Sequence, residues 1–449
     1  MKFDPFPYQE TMLEWCRDRD QVAMFASCGL GKTVVTLKVL DDLFVSGASR
    51  GALIIAPVRV CSITWRNQAA QWDHSSWMRV HMLRTEEGRE ALRRGDGELY
   101  LINPEQLPKI VDLLFRSGKP LPVDTIVFDE ISLAKNPQST RFNAIRPFLG
   151  QFKQRIGLTG TPVPNSYLDL FAPLRLLDDG ARLGRSFHHY RQTYFTSDYM
   201  GYKWTMRPEA KDAIDKRISD LALVMNGEDY LDIPDTTVID VDAPLPPDAR
   251  TLYTRMEKEL LIQLNNSDVV ALTAATLTGK LIQLTGGMAY DEEGTPQHCH
   301  DTKIQALLKL RKQHSTEPIL VLTQFKHESA RILSAMPEAR MFDERDIPEW
   351  QAGRIPVWVA DPRSLSHGID GLQVSGRIAI WFSLTYSQEQ YVQTNARLAR
   401  TGQDHETLVY RIIAPNTIDD AVAEALRTKS DTQSGLLNAL KSLQLLRSA

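Results

Sequence analysis

The sequence predicts an α/β chain that carries its chemistry at the ends of buried strands. Three observations predict it. Apolar runs such as Val22-Ala23-Met24-Phe25, Ala52-Leu53-Ile54-Ile55 and Thr125-Ile126-Val127-Phe128 are strand-like and read as buried. Apolar residues at helical spacing follow the first run, at Val34, Val35, Leu37, Val39, Leu40 and Phe44. The 449 residues, 43% hydrophobic, suffice for two or three domains with full cores and exclude a single small module.

Between the first strand and its helix lies Ala26-Ser27-Cys28-Gly29-Leu30-Gly31-Lys32-Thr33. Glycines let backbone N–H groups crowd around a polyphosphate, and a helix N-terminus adds positive potential. Lys32 can neutralise phosphate charge, and Thr33 can offer a hydroxyl to Mg2+. Cys28, Gly29, Leu30, Gly31, Lys32 and Thr33 are the expected nucleotide-binding residues, an ordinary glycine turn being the alternative. Upstream, Gln9 opens a helical stretch. Its amide can both donate to and accept from an adenine edge, or act as a cap.

After Ala56-Pro57 a helix carries Trp65, Gln68 and Trp72. The two tryptophans, seven apart, share a face and read as core. Leu99-Tyr100-Leu101-Ile102 is a strand ending at Asn103. The run Thr125-Ile126-Val127-Phe128 ends in two acids, Asp129 and Glu130. Asp129 can hold a magnesium hydration shell, and Glu130 can orient and polarise the attacking water. A solvated Asp-Glu turn is the ordinary alternative, but the phosphate-type loop upstream favours catalysis. Arg155-Ile156-Gly157-Leu158 then leads into Thr159-Gly160-Thr161-Pro162, where Thr159 and Thr161 can bond the acidic strand end and report the nucleotide state.

Taken in order, Gly29-Leu30-Gly31-Lys32-Thr33, Asp129-Glu130-Ile131-Ser132 and Leu158-Thr159-Gly160-Thr161-Pro162 resemble the first lobe of a superfamily 2 helicase or translocase. Ala26, where the strict loop pattern has glycine, is similar to the form found in superfamilies 1 and 2. Trp65 and Trp72, with Asn165, Leu170 and the leucine-rich 174–177, narrow the resemblance to the Swi/Snf-like branch. That resemblance implies two RecA-like parallel-sheet lobes, both α/β, with helical protrusions between them. Residues 1–180 are the expected ATP-binding lobe, 181–236 a protrusion and crossover, 237–300 the second-lobe protrusion, and 301–449 the second lobe.

Residues 181–300 carry no comparable chemistry. The aromatic stretch from Phe187 through Tyr190, Tyr194 and Phe195 to Trp204 reads as the core of a helical protrusion. Leu231-Asp232-Ile233-Pro234 resembles the crossover between lobes, with Thr236 in place of the usual lysine. His298, Cys299 and His300 are adjacent and cannot all face one ion without strain. In the second lobe the strand 318–322 leads to Gln324. Ser366-His367-Gly368-Ile369-Asp370 sits where the family has a glycine-rich turn ending in Asn. Gly368 allows close approach there, and Asp370 can orient an arginine or a ribose hydroxyl. Gln393, Arg397 and Arg400, four and then three apart, are expected on one helical face. The resemblance makes the two arginines fingers that neutralise the transferred phosphoryl group, although Ala396 and Ala399 replace the family's Asp and His.

The expected function is a nucleic-acid-stimulated ATPase that translocates on, or remodels, duplex, forked or branched DNA. Strand-end loops carrying Arg59, Asn103, Gln324 and Thr385 are the expected grip on phosphates. The alternatives are an RNA helicase and a nucleotide-dependent DNA-binding scaffold with a decayed motor, the latter suggested by Ala396, Ala399, Asp370 and Pro164. A net charge of −4 argues against a basic coat but is compatible with one local basic groove. The four cysteines, at 16, 28, 61 and 299, lack paired spacing and read as reduced thiols. With neither a signal-peptide pattern nor a run of about 18 apolar residues, a monomeric cytoplasmic protein is expected. Compared with chromatin remodellers of this branch, the chain reads as a compact bacterial or phage motor of replication, recombination or repair.

Overall fold

The computed structural model describes residues 1–115, 122–160, 167–197, 204–265, 270–290, 295–365 and 369–427. Thr161 and Gly368, together with Pro164, Asn165 and His367, lie outside the described residues. The chain divides into two compact units, Met1–Leu231 and Asp232–Ala449.

The first unit contains strands β1 (Gln21–Ala26), β2 (Ala52–Ile55), β3 (Val80–Met82), β4 (Leu99–Ile102), β5 (Thr125–Asp129) and β6 (Gln154–Thr159). A hairpin of β7 (Phe195–Ser197) and β8 (Trp204–Met206) follows, then β9 (Ala222–Met225). Among the described residues these strands form a seven-stranded sheet in the order β3-β4-β2-β5-β6-β1-β9, every pairing parallel. Alternation splits the apolar runs between two cores. Val22, Met24, Ile54, Val127 and Ile156 face one side, and Ala23, Phe25, Leu53, Ile55, Ile126 and Phe128 face the other. That is why these runs show no polar alternation. The order also sets β5 and β1 on either side of β6, with Asp129 level with Leu158 and Phe25 level with Thr159. Their carboxyl ends therefore meet along one rim, which is where open α/β sheets bind ligands.

The second unit contains β10 (Thr236–Asp242), a hairpin of β11 (Met288–Tyr290) and β12 (Pro296–His298), β13 (Ile319–Leu322), β14 (Ala339–Met341), β15 (Val357–Ala360), β16 (Ile378–Trp381) and β17 (Thr407–Ile413). Its sheet runs β10-β17-β16-β13-β15-β14, again wholly parallel. Leu320, Leu322, Trp358 and Trp381 fill one core, and Ile319, Val321, Val357, Val359, Ile378 and Ile380 the other. Helices Pro247–Asn265 and Val270–Thr285 form the protrusion before β11. A fully buried ion pair, Lys303 Nζ to Asp419 Oδ2 at 2.7 Å, anchors the unit. Lys303 also donates to the Phe382 carbonyl, and Asp419 accepts from the Thr285 hydroxyl and the Ala414 N–H, so neither charge is left unpaired.

This is the α/β architecture of two RecA-like lobes with helical protrusions that the sequence predicts. The intervening segments do more than protrude, however. Segment 181–236 supplies β9 to the first sheet, and β10, which begins at Thr236, edges the second sheet well before residue 301. The aromatic stretch packs onto the first unit's core, with Tyr190 and Phe195 buried and Arg191 stacked over Trp204 at 4.1 Å. Among the described residues no helix is long and apolar enough to cross a membrane.

Candidate active site

The loop after β1 is shaped by two left-handed glycines, Gly29 (φ 91°) and Gly31 (φ 79°). Gly31 caps helix Lys32–Val45, and a Cβ there would lie 2.4 Å from the Gln9 amide nitrogen, so conformation and space both require glycine. Buried Val35, Leu37 and Leu40 hold the helix on the sheet, fixing where its N-terminus points. Lys32 Nζ folds across the loop, donating to the carbonyls of Ala26 (2.7 Å) and Ser27 (3.1 Å). Leu30 is wholly buried, whereas Cys28, Gly29 and Thr33 are half-buried at the rim. Gln9 is buried and acts as a brace: its Oε1 accepts the Phe6 N–H at 3.0 Å and its Nε2 donates to the Leu30 carbonyl at 3.3 Å. The amide assigned to adenine from the sequence is thus satisfied within the chain.

At the end of β5 the two acids are held differently. Burial pushes the Asp129 carboxyl up to about 6, while the Trp65 N–H bond draws it down, the Glu130 charge raises it and the Lys32 charge lowers it. The Trp65 indole donates to Asp129 Oδ2 at 2.8 Å. Glu130 sits in the left-handed region at φ 66°, unusual for a side chain without a local amide, and this turns its carboxylate back over the strand ends. There Oε1 accepts from Thr159 Oγ1 at 2.8 Å and Ser132 Oγ at 2.7 Å. Gly160 links the acids to the loop. A Cβ built on it would meet Cys28 Sγ at 2.9 Å and Glu130 Oε2 at 4.0 Å, so only a residue without one lets the two segments approach.

Sequence reasoning missed two contributors here. Trp65 was read as core; its ring is indeed fully buried, but its N–H serves the acid. Ser132 was quoted only as part of a motif, and its hydroxyl holds Glu130. The available signal was an N–H-bearing ring just beyond β2, because β2 pairs with β5.

In the second unit, the expectation that Gln393, Arg397 and Arg400 share one helix face is corrected. Helix Gln388–Asn395 ends before both arginines, which lie in turns. The Trp381 N–H bonds the Asn395 side chain at 3.0 Å, and buried Leu398 pulls the following turn into the core. Arg397 donates to the carbonyls of Leu365 (3.0 Å) and Ile369 (3.0 Å), which flank positions 366–368. Arg400 forms an ion pair with Asp370 at 3.1 Å, so Asp370 does orient an arginine. Gln393 is buried and reaches Glu389 at 3.4 Å.

Of the expected grip residues, Arg59 is half-buried at the turn after β2. Asn103 and Thr385 are buried and bonded within the chain, to Glu105 (2.8 Å) and Gln390 (2.7 Å) respectively. Thr385 also accepts the Ser387 N–H, which shapes the start of the next helix. Gln324 keeps a buried amide nitrogen with no partner among the described residues.

A glycine loop at a helix N-terminus, facing a half-buried aspartate and an oriented glutamate in the first of two parallel-sheet units, defines an ATP hydrolase of the two-lobed RecA-like class. The chain belongs to the SNF2-related domain family, whose model matches residues 8–286. It is 31% identical over 459 residues to putative protein p41 of Acyrthosiphon pisum secondary endosymbiont phage 1, covering 98% of this chain and 99% of that protein. An uncharacterized ATP-dependent helicase of Mycoplasma pneumoniae is 23% identical over 96% of this chain, which spans 42% of that protein's length. The Sulfolobus solfataricus SWI2/SNF2 ATPase core in complex with dsDNA aligns over 100% of this chain and 97% of its own, at 20% identity and a TM-score of 0.46.

Proposed function

We propose that the protein uses ATP hydrolysis to move along duplex or branched DNA, with the first unit holding the nucleotide. The observation that carries this reading is the meeting of the glycine loop with the Asp129–Glu130 strand end across Gly160. Lys32 leaves its loop carbonyls to neutralise the β- and γ-phosphates, and Glu130, held by Thr159 and Ser132, orients the attacking water. Thr159 with Thr161, and Gln393 in the second unit, are the proposed coupling residues. Gly368 and Asp370 are the proposed contacts to the base and ribose, and Gln9 would reach the base only by releasing the Phe6 N–H or the Leu30 carbonyl.

The donor set fits Mg2+, which takes one or two protein oxygens together with substrate phosphates; Asp129 and the Thr33 hydroxyl would hold it. The ion would offset charge developing on the phosphoryl group. Arg397 and Arg400 are the proposed neutralising cations of the second unit. Arg59, Asn103, Gln324 and Thr385 are the proposed grip residues, of which Asn103 and Thr385 are bonded within the chain before any nucleic acid arrives. The further reading, a cytoplasmic, monomeric motor serving replication, recombination or repair, remains our proposal, and the near end-to-end match to a phage protein bears only on the kind of source.

The test is the ATPase rate on single-stranded, duplex, forked and four-way DNA and on RNA, beside a triplex-displacement assay. Duplex or branched DNA is expected to stimulate turnover and support displacement. Turnover no higher than that of Lys32→Ala on every nucleic acid would sink the reading.

A further inference from the structure

The turn after β2 departs from ordinary helix. Val60–Trp65 is a six-residue π-helix that runs directly into the α-helix Arg66–Gln71. Such wider turns are rare and concentrate at functional sites, because they rephase the side chains that follow. Here the residue at the junction is Trp65, fully buried, with its N–H directed at Asp129 Oδ2 from 2.8 Å. A buried indole needs an acceptor, but a backbone carbonyl would serve as well as a carboxylate. The start of the turn is tied down too. Its N-cap is Arg59, and the Cys61 thiol donates to the carbonyls of Ala56 at 3.2 Å and Ile102 at 3.5 Å, the latter next to Asn103. One turn therefore joins the ends of β2, β4 and β5.

We propose that Trp65 is a positioning residue: its N–H fixes the Asp129 carboxylate for the magnesium–nucleotide, and the π-helical turn ties that orientation to the strand-end segments bearing Arg59 and Asn103. The proposal rests on the role given above to Asp129. A ligating carboxylate is itself held by outer partners whose loss weakens metal binding without touching the metal. An engaged nucleic acid that draws on the segment at Arg59 would move Trp65 and the carboxylate together. Nucleic acid would thereby reach the chemistry through a single hydrogen bond.

Trp65→Phe keeps an aromatic ring in the core and removes the donor. In calorimetric titrations of ADP, its half-saturating Mg2+ concentration is expected to rise about tenfold. ADP binding without Mg2+ should be unchanged, a separation that general loosening of the fold would not give. Saturating duplex DNA should shift the wild-type Mg2+ midpoint and leave that of the variant in place. Equal midpoints in the two proteins, or an equal DNA shift, overturn the proposal. Should Trp65→Phe not fold, Cys61→Ala frees the turn from the Ile102 carbonyl with little loss of volume. It should raise the midpoint by a smaller factor, and an unchanged midpoint in that variant overturns the proposal as well. Because the readout is binding, the two readings fail separately: a wild-type chain without ATP turnover defeats the proposed function, whereas an unmoved midpoint in a chain that turns over ATP defeats this inference.

Discussion

Glu130 in the first unit and Arg400 in the second are both charged side chains in segments that connect elements of a parallel-sheet unit, yet their surroundings differ. Glu130 accepts from two hydroxyls, one of them on the buried Thr159, and its neighbour Asp129 is held by a buried indole. Arg400 is held by Asp370, whose side chain is 69% exposed. Hydroxyls and indoles fixed by packing hold a carboxylate in one geometry before any ligand arrives. An exposed carboxylate holds a guanidinium weakly, because water and salt compete for both partners. The first unit is thus preorganised, whereas the arginine of the second is held by a partner that solvent can readily displace. Arg397 is intermediate, bonded to two main-chain carbonyls that carry no net charge.

This contrast can be broken by experiment. The largest effect is expected from Arg400→Ala, which should lower DNA-stimulated kcat about 1000-fold if the arginine neutralises the transferred phosphoryl group. ADP affinity should stay near wild type, and a loss confined to KM would place the residue elsewhere. A middle-sized effect concerns stability at Asp129. Its carboxyl is raised in the folded state, so ionising it penalises folding, and that penalty grows as pH climbs from the ordinary carboxylate range to about 6. Asp129→Asn should therefore be more stable than wild type by about 1 kcal/mol near pH 7.5, with the gain fading as pH falls through 6 and vanishing near 4. Urea melts across that range check the sign; a gain that grows in acid would contradict it. The smallest effect belongs to Asp370→Asn. An exposed pair is worth about 0–1 kcal/mol, so kcat should change by less than about fivefold, with a weaker dependence on salt.

How much of this was legible in the sequence follows from the range of the forces involved. The loop, the acids and Thr159 lie where local patterns meet: a run buried on both faces, then glycine, hydroxyl or acid at its end. Edge strands lack that contrast. Residues 236–242 of β10 alternate exposed and half-buried, and β9 is only four residues long, so both were absorbed into the protrusions. The arginine turn was misread because Trp381, in another strand, stops the helix at Asn395, and no spacing rule sees that bond. Trp65 was placed in the core correctly, but its role depends on β2 lying beside β5, which is a property of sheet order. The polar atoms of Asn103 and Thr385 were assigned outward because a strand end was equated with exposure, whereas the following turns fold back over them.

The left-handed backbone at Glu130 has an evolutionary corollary. A residue with a Cβ held there costs roughly 1 kcal/mol relative to glycine, and asparagine tolerates it better than glutamate does. Selection for heat resistance alone would therefore drift towards glycine or asparagine at position 130, producing a sturdier chain that still folds and binds nucleotide. On the role proposed for Glu130, only continued demand for turnover keeps a glutamate there, and the identity of this one residue in any descendant of the chain would record whether its motor is still in use.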